Sequence, residues 1–285
     1  MKSRILLAGL FVLVAPVNTV AVEMTFGIST HQNRRPYQED RFAHAIVDKG
    51  DFFGVYDGHG GDKVSSLLKD NLHTYFAKAK GSVEQKFQHA FEQADFIAQN
   101  SWSDGSTALA VYIDKNNVMH FAWAGDTRAV LECGGKFCFG TQDHKPDRAD
   151  EKQRIEQAGG SVVEWGVWRV NGLAVSRSIG DAVCKLQGIG QILATPEYAQ
   201  VQLKPDNHFL ILASDGVWDE ISNKAAVAIV NRGLRNKLSL NDIAKTLQDV
   251  AIKKGSGDNI TVCVIQFDWS PVSTPRKWWN WLWGK

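Results

Sequence analysis

Asp57 closes an apolar run, Phe52-Phe53-Gly54-Val55-Tyr56, and is followed at once by Gly58-His59-Gly60-Gly61. An acid delivered at a strand end, beside glycines that let the backbone approach a ligand closely, is the design of a site. A tight turn whose Asp caps a helix starting near Asp62 would use the same residues. Repetition favours the site, because Ala124-Gly125-Asp126, Ala213-Ser214-Asp215-Gly216 and Gly257-Asp258-Asn259 each set an Asp beside Gly at the edge of an apolar run. Several carboxylates are being brought to one place. Clustered Asp oxygens without a His-rich or Cys-rich ligand set suit hard octahedral ions, Mn2+ or Mg2+, more than zinc. Two such ions about 3.5 to 4 Å apart can deprotonate a bridging water and polarise a phosphoryl oxygen. An Arg beside them grips phosphate through its planar fork of donors, and a nearby His can protonate the leaving alkoxide. The chemistry implied is hydrolysis of a phosphate monoester.

The elements that must position these residues follow from periodicity. A strand over 25–30 leads into the polar loop 31–40, which carries Arg34, Arg35, Glu39 and Asp40, and a second strand alternates over 41–47. Two arginines and two acids in such a loop read as an oxyanion clamp with a further metal-organising carboxylate. Val64, Leu67, Leu68, Leu72, Tyr75 and Phe76 recur at helical spacing, as do Phe87, Phe91, Ala94 and Ile97 after a Ser82-x-x-Gln85 capping box. Strands are predicted over 106–114, 118–124, 128–133 and 136–140, joined by short turns and therefore antiparallel. A helix is predicted over 147–158, strands around Trp165 and Trp168 and over 209–213, helices over 224–231 and 241–253, and a last strand over 259–267. Strands and helix pairs in separate blocks indicate an α+β fold with helices outside stacked antiparallel sheets.

The 285 residues, 44% hydrophobic and 22% charged, are read as one large domain, and a net charge of +1 gives no electrostatic footprint for nucleic acid. Lys2 and Arg4, the apolar run 5–15 and the small, polar exit around Ala21 describe a secretory signal peptide or N-terminal anchor over 1–21. That implies export or membrane association; translation from Met24 would instead leave a cytoplasmic protein. Cys133 and Cys138 flank Gly134-Gly135 in an apparent hairpin, which leaves a disulfide and ordinary buried thiols both open. The tail over 269–285 is basic and carries Trp278, Trp279, Trp281 and Trp283, a composition suited to a membrane interface, to folding back on the domain or to a partner.

Taken in order, Arg35-x-x-x-Glu39-Asp40, Val55-Tyr56-Asp57-Gly58-His59-Gly60-Gly61, Gly105-Ser106-Thr107-Ala108, Ala124-Gly125-Asp126-Thr127-Arg128-Ala129, Asp143-His144-Lys145-Pro146, the run 173–181 ending Ser178-Ile179-Gly180-Asp181, Ser214-Asp215-Gly216-Val217-Trp218-Asp219 and Asp258-Asn259-Ile260-Thr261 are motifs of one family. Over about 25–268 the chain resembles the PP2C metal-dependent protein serine/threonine phosphatases. The resemblance implies a four-layer αββα sandwich over a domain spanning 24–268, acting as a monomer on phosphoproteins. It also implies a centre of two Mn2+ or Mg2+ ions with a possible third. By position, Asp57 would bridge both metals, Gly58 would lend its carbonyl, Asp215 and Asp258 would complete the ligands and Glu39 would act through water. Asp126 matches the acid of a third, weaker metal, Arg35 the phosphate-binding arginine and His59 the general acid. Asp40, Thr107 and Asn259 would support the site, Asp181 carries no assigned role, and 143–146 is read as a structural turn before a helix. The segment 182–188 lacks the acidic and aromatic residues often found there in the family. A catalytically silent binding module is the alternative, but the chain keeps every metal acid and the phosphate arginine.

Overall fold

The computed structural model describes residues 22–269, so the leader and the Trp-rich tail past Trp269 lie outside the described residues. Two five-stranded antiparallel sheets stack face to face. One runs, in spatial order, Glu23–His31, Ile260–Asp268, Phe209–Ala213, Arg128–Cys133, Lys136–Gly140; the other runs Glu197–Gln202, Val118–Ala124, Ala108–Ile113, Gly50–Tyr56, Arg41–Val47. Side chains alternate across each strand, so one residue set fills the space between sheets and the next faces the helices. Leu109, Val111 and Ile113 join Phe53, Val55, Phe121, Leu210, Leu212 and Ile265 in the inter-sheet core. Their neighbours Ala108, Ala110 and Tyr112 pack instead with Phe52 against the helices Lys63–Lys78 and Val83–Gln99. On the far side, Phe209, Ile211 and Ala213 meet the helices Asn223–Arg235 and Leu240–Lys254. The result is the αββα order expected. Phe52, Phe76 and Phe87 cluster with ring centroids 4.5 to 6.0 Å apart and no exposure. Each such ring contributes about 1.5 to 3 kcal/mol by leaving water.

The helix starts show which ends are local and which are tertiary. Ser82 and Gln85 form the reciprocal capping box, and Ser222 and Ser239 cap the last two long helices through their side chains. Asp62 holds the N-cap position of Lys63–Lys78, but neither its side chain nor that of Asp57 caps the helix. The Asp104 carboxylate does so from 41 residues away, accepting the N–H groups of Lys63 at 2.8 Å and Val64 at 3.1 Å.

Two strand expectations change. The strands Val118–Ala124 and Arg128–Cys133 are not a hairpin: each belongs to a different sheet, and Gly125-Asp126-Thr127 is the crossing between them. The strand expected over 106–114 divides at Thr107. Its first part, Gly105–Ser106, is the middle of a three-stranded patch with Gly58–His59 and Ile179–Gly180. Strands two residues long carry no periodicity, so only the pairing reveals them. The helix expected over 147–158 forms as Ala149–Gln157, and the two tryptophan strands form a hairpin, Val163–Trp165 with Val167–Arg169. Cys133 and Cys138 are bonded, with Cα atoms 5.7 Å apart, closing the Gly134-Gly135 hairpin. Among the described residues no helix is long and apolar enough to cross a membrane.

Candidate metal centre and phosphate cleft

Asp57 leaves the strand Gly50–Tyr56 and is clamped by its backbone. Its N–H donates to Thr107 Oγ1 at 3.1 Å, and its carbonyl accepts the Thr107 N–H at 2.8 Å. Thr107 Oγ1 also lies 2.6 Å from Thr127 Oγ1, so one hydroxyl ties the Asp57 turn to the crossing that carries Asp126. Gly125 makes that crossing possible. It sits at φ +113°, and a Cβ there would come within 2.6 Å of the Thr107 side chain. Asp215 opens the short helix Asp215–Trp218 directly after Phe209–Ala213, and Asp258 stands just before Ile260–Asp268. A Cβ on Gly216 would fall 2.2 Å from the Asn259 carbonyl, so these two sheet ends approach as closely as backbone allows. Asp57, Asp126 and Asp215 therefore present ligand oxygens that all lie within 4.8 Å of one another.

The electrostatics show what this group requires. Burial first, then the carboxylates of Asp40, Asp215 and Asp126, hold the Asp57 carboxyl well above the usual carboxylate range. Burial, Asp126 and Asp219 do the same to Asp215, with Lys145 opposing them. Buried like charges at such range demand a cation or a proton. A donor set made only of carboxylates fits a hard divalent ion such as Mn2+ or Mg2+.

Arg35, His59 and Asp258 line the same cleft of about 260 Å3 as the three acids. Arg35 Nη2 lies 2.6 Å from Asp258 Oδ2, so the expected phosphate arginine and the expected metal acid are paired with each other. The three-stranded patch sets His59 opposite Gly105, which is opposite Gly180, and this register brings Asp181 to the imidazole. The two Asp181 oxygens lie 3.0 and 2.8 Å from His59 Nε2, and one accepts the Ser178 hydroxyl at 2.6 Å. Burial pulls the imidazole down, yet the hydrogen bond and charge of Asp181 prevail and hold His59 above its ordinary value. Asp181 thus has a defined place that its sequence position did not supply.

The expected supporting residues hold the loop. Asn259 Oδ1 accepts the Glu39 N–H at 2.8 Å, while its amide donates to the carbonyls of Gln32 and Tyr37, each at 2.9 Å. Asp40 is buried and accepts the Ser214 hydroxyl at 2.8 Å; burial, partly offset by that hydrogen bond, pushes it up to about 6. The Glu39 carbonyl accepts the Ser65 hydroxyl at 2.6 Å, and the Glu39 charge helps raise His59. The Glu39 carboxylate is not one of the three gathered acids, and neither is that of Asp258. The Gly58 backbone lines the cleft beside Asp57.

A match to the family described as Protein phosphatase 2C covers residues 26–260. The chain belongs to the protein phosphatase 2C family. It is 37% identical over 259 residues to probable protein phosphatase 2C 69 of Arabidopsis thaliana, covering 86% of this chain and 70% of that one. It is 34% identical to probable protein phosphatase 2C 52 of Oryza sativa subsp. japonica, covering 86% of this chain and 50% of the relative. Among solved structures, a C. elegans sex determining protein superposes with a TM-score of 0.75 at 28% identity over 86% of this chain and 64% of that chain. The serine-threonine phosphatase 2C of Toxoplasma gondii gives a TM-score of 0.74 at 24% identity over 87% of this chain and 95% of that one, a likeness of fold. The chain is thus a PP2C-type serine/threonine protein phosphatase with a candidate acidic metal site at Asp57, Asp126 and Asp215.

Besides Asp181, the PP2C motifs left two participants without a role at the site. Lys145, read from sequence as part of a structural turn, does precede the helix Ala149–Gln157, but its ammonium ion-pairs with Asp126. The signal available was a cation within Asp143-His144-Lys145-Pro146, which spacing alone does not tie to an acid 19 residues earlier. Arg169 was also missed. It lines the cleft from the tryptophan hairpin, donates from Nη1 to the Gly172 carbonyl at 2.8 Å and keeps its buried Nε without a partner.

Proposed function

We propose that this PP2C chain removes phosphate from phosphoserine and phosphothreonine in phosphoproteins, with two Mn2+ or Mg2+ ions held by Asp57, Asp215, Asp258 and the Gly58 carbonyl. Glu39 would reach the ions through water, and Asp126 would serve a third, weaker ion. When bound, the ions supply Lewis acidity toward the phosphoryl group and the attacking water. The chain's own residues do the remaining work. Arg35, now paired with Asp258, would grip the phosphoryl oxygens through its fork of donors, and Asp258 would be among the residues that hold the ions. Asp181 holds His59 at Nε2 and favours the imidazolium, so the proton delivered to the leaving serine or threonine oxygen is carried by Nδ1. Thr107 fixes Asp57 relative to Asp126 through hydrogen bonds to both turns.

The observation that carries this reading is the convergence of three carboxylates within 4.8 Å on a cleft that Arg35 and His59 also line. The test is phosphate release from a phosphothreonine peptide by the full chain with Mn2+, with Mg2+ and with chelator, beside Asp57→Ala. Metal-dependent release that disappears in Asp57→Ala is expected. Release that persists in chelator, or in Asp57→Ala, would overturn it.

Location belongs to the same proposal. The leader composition supports export, and the Cys133 to Cys138 bond fits an oxidising compartment. The basic, Trp-rich tail suits contact with a membrane interface. Amino-terminal sequencing of the mature protein checks it: a terminus near Ala21 is expected, and a cytoplasmic protein beginning at Met24 would refute export.

A further inference from the structure

Two of the acids around the cleft are ion-paired with side-chain cations. Arg35 pairs with Asp258 at 2.6 Å, and Lys145 pairs with Asp126. Asp126 is 4% exposed at its side chain, and its oxygen belongs to the set shared with Asp57 and Asp215 within 4.8 Å. The Lys145 ammonium also feels Asp215 and Asp219, so it stands among three carboxylates, where a bound cation would experience the same field. Among the described residues neither Asp57 nor Asp215 has an ion-pair partner.

We propose that Lys145 is a built-in counter-ion that competes with a divalent ion for Asp126, making the Asp126 position the last to fill and the first to empty. This rests on the metal reading of the cluster above. An ammonium in contact with the carboxylate neutralises the charge that would attract the ion, and one unit charge at that range weighs heavily where water is scarce. The lysine has somewhere to go. Its side chain is 33% exposed and borders a hollow of about 660 Å3 under the tryptophan hairpin, where Asp147, Glu164 and Asp219 offer other carboxylates. A flexible four-carbon stem with a compact charge suits such an exchange better than the rigid fork of an arginine. Divalent ion would therefore enter at Asp126 as the ammonium swings outward.

The test is calorimetric titration of the full chain, first stripped with chelator and dialysed, with Mn2+ at low ionic strength. Wild type is compared with Lys145→Met, Lys145→Arg, Asp126→Asn and the Lys145→Met/Asp126→Asn pair. Lys145→Met should tighten the weakest binding event by about tenfold or more. Lys145→Arg, whose fork releases Asp126 less readily, should leave that event as weak as in wild type or weaker, and the paired variant should lose it. The metal-free Lys145→Met protein should also melt at a lower temperature, because Asp126 is left buried with its charge uncompensated. Lys145→Gln keeps a donor without the charge and gives the same comparison should the Met variant fail to fold. Unchanged or weaker Mn2+ binding in Lys145→Met or Lys145→Gln, with wild type binding normally, would overturn the competition. No Mn2+ uptake by wild type would instead remove the metal reading, and this inference with it.

Discussion

Asp40 gives the sharpest test of the electrostatics, because it is buried beside the gathered acids and its substitution keeps shape. The residue is 3% exposed, Oδ2 accepts the Ser214 hydroxyl at 2.8 Å, and Oδ1 is buried without a partner. Burial raises its pKa from 3.8 to about 6 in the metal-free chain, with Asp258 adding to the rise and the hydrogen bond from Ser214 opposing it. Between those values the folded state keeps a proton that the unfolded state has released. Stability therefore falls as pH rises through that window, and the difference corresponds to about 3 kcal/mol once both states are ionised. Asp40→Asn keeps an acceptor for Ser214 and removes the charge. In chelator it should be more stable than wild type by about 1 to 3 kcal/mol near pH 7.5, and the gain should vanish near pH 4, where wild-type Asp40 is protonated in the folded state. Urea denaturation at the two pH values measures this. Glu151 and Glu197, which lie below the usual carboxylate range, and His73, His120 and His144, which lie below the usual imidazole range, are present in both proteins and cancel in the comparison. Equal effects of the substitution at both pH values, or a loss of stability near pH 7.5, would refute the reasoning.

Two further outcomes follow from single contacts. Asp181→Asn removes the charge that holds His59 up, so the alkaline limb of kcat should move about one pH unit or more toward acid, since a hydrogen bond to a charged group is worth about 1.5 to 3 kcal/mol; a purely positional role for Asp181 would lower the rate without moving the limb. Asp104→Ala takes away the cap of Lys63–Lys78 and should cost about 1 to 2 kcal/mol in urea denaturation, with Asp104→Asn recovering part of it, whereas no loss would mean the helix start is satisfied otherwise.

The sequence alone determined the parts that repeat locally. Alternation of apolar residues set the sandwich strands, 3.6-residue spacing set the helix pairs, and Asp beside Gly at the ends of apolar runs marked Asp57, Asp126, Asp215 and Asp258. Thr107 and Asn259 bridge the pieces they were expected to support. Only the tertiary structure decided which distant groups meet. Gly125-Asp126-Thr127 looked like a hairpin turn because turn chemistry does not report which sheet the next strand joins; the pairing makes it the crossing that lifts Asp126 to the cleft. The patch that carries His59 to Asp181 is built from two-residue strands, too short to leave a period. The cap from Asp104, the pairing of Lys145 with Asp126 and the pairing of Arg35 with Asp258 span 41, 19 and 223 residues. A side chain's chemistry is written at its own position, but its partner is chosen by how the sheets and helices close, and that choice depends on every contact in the core at once.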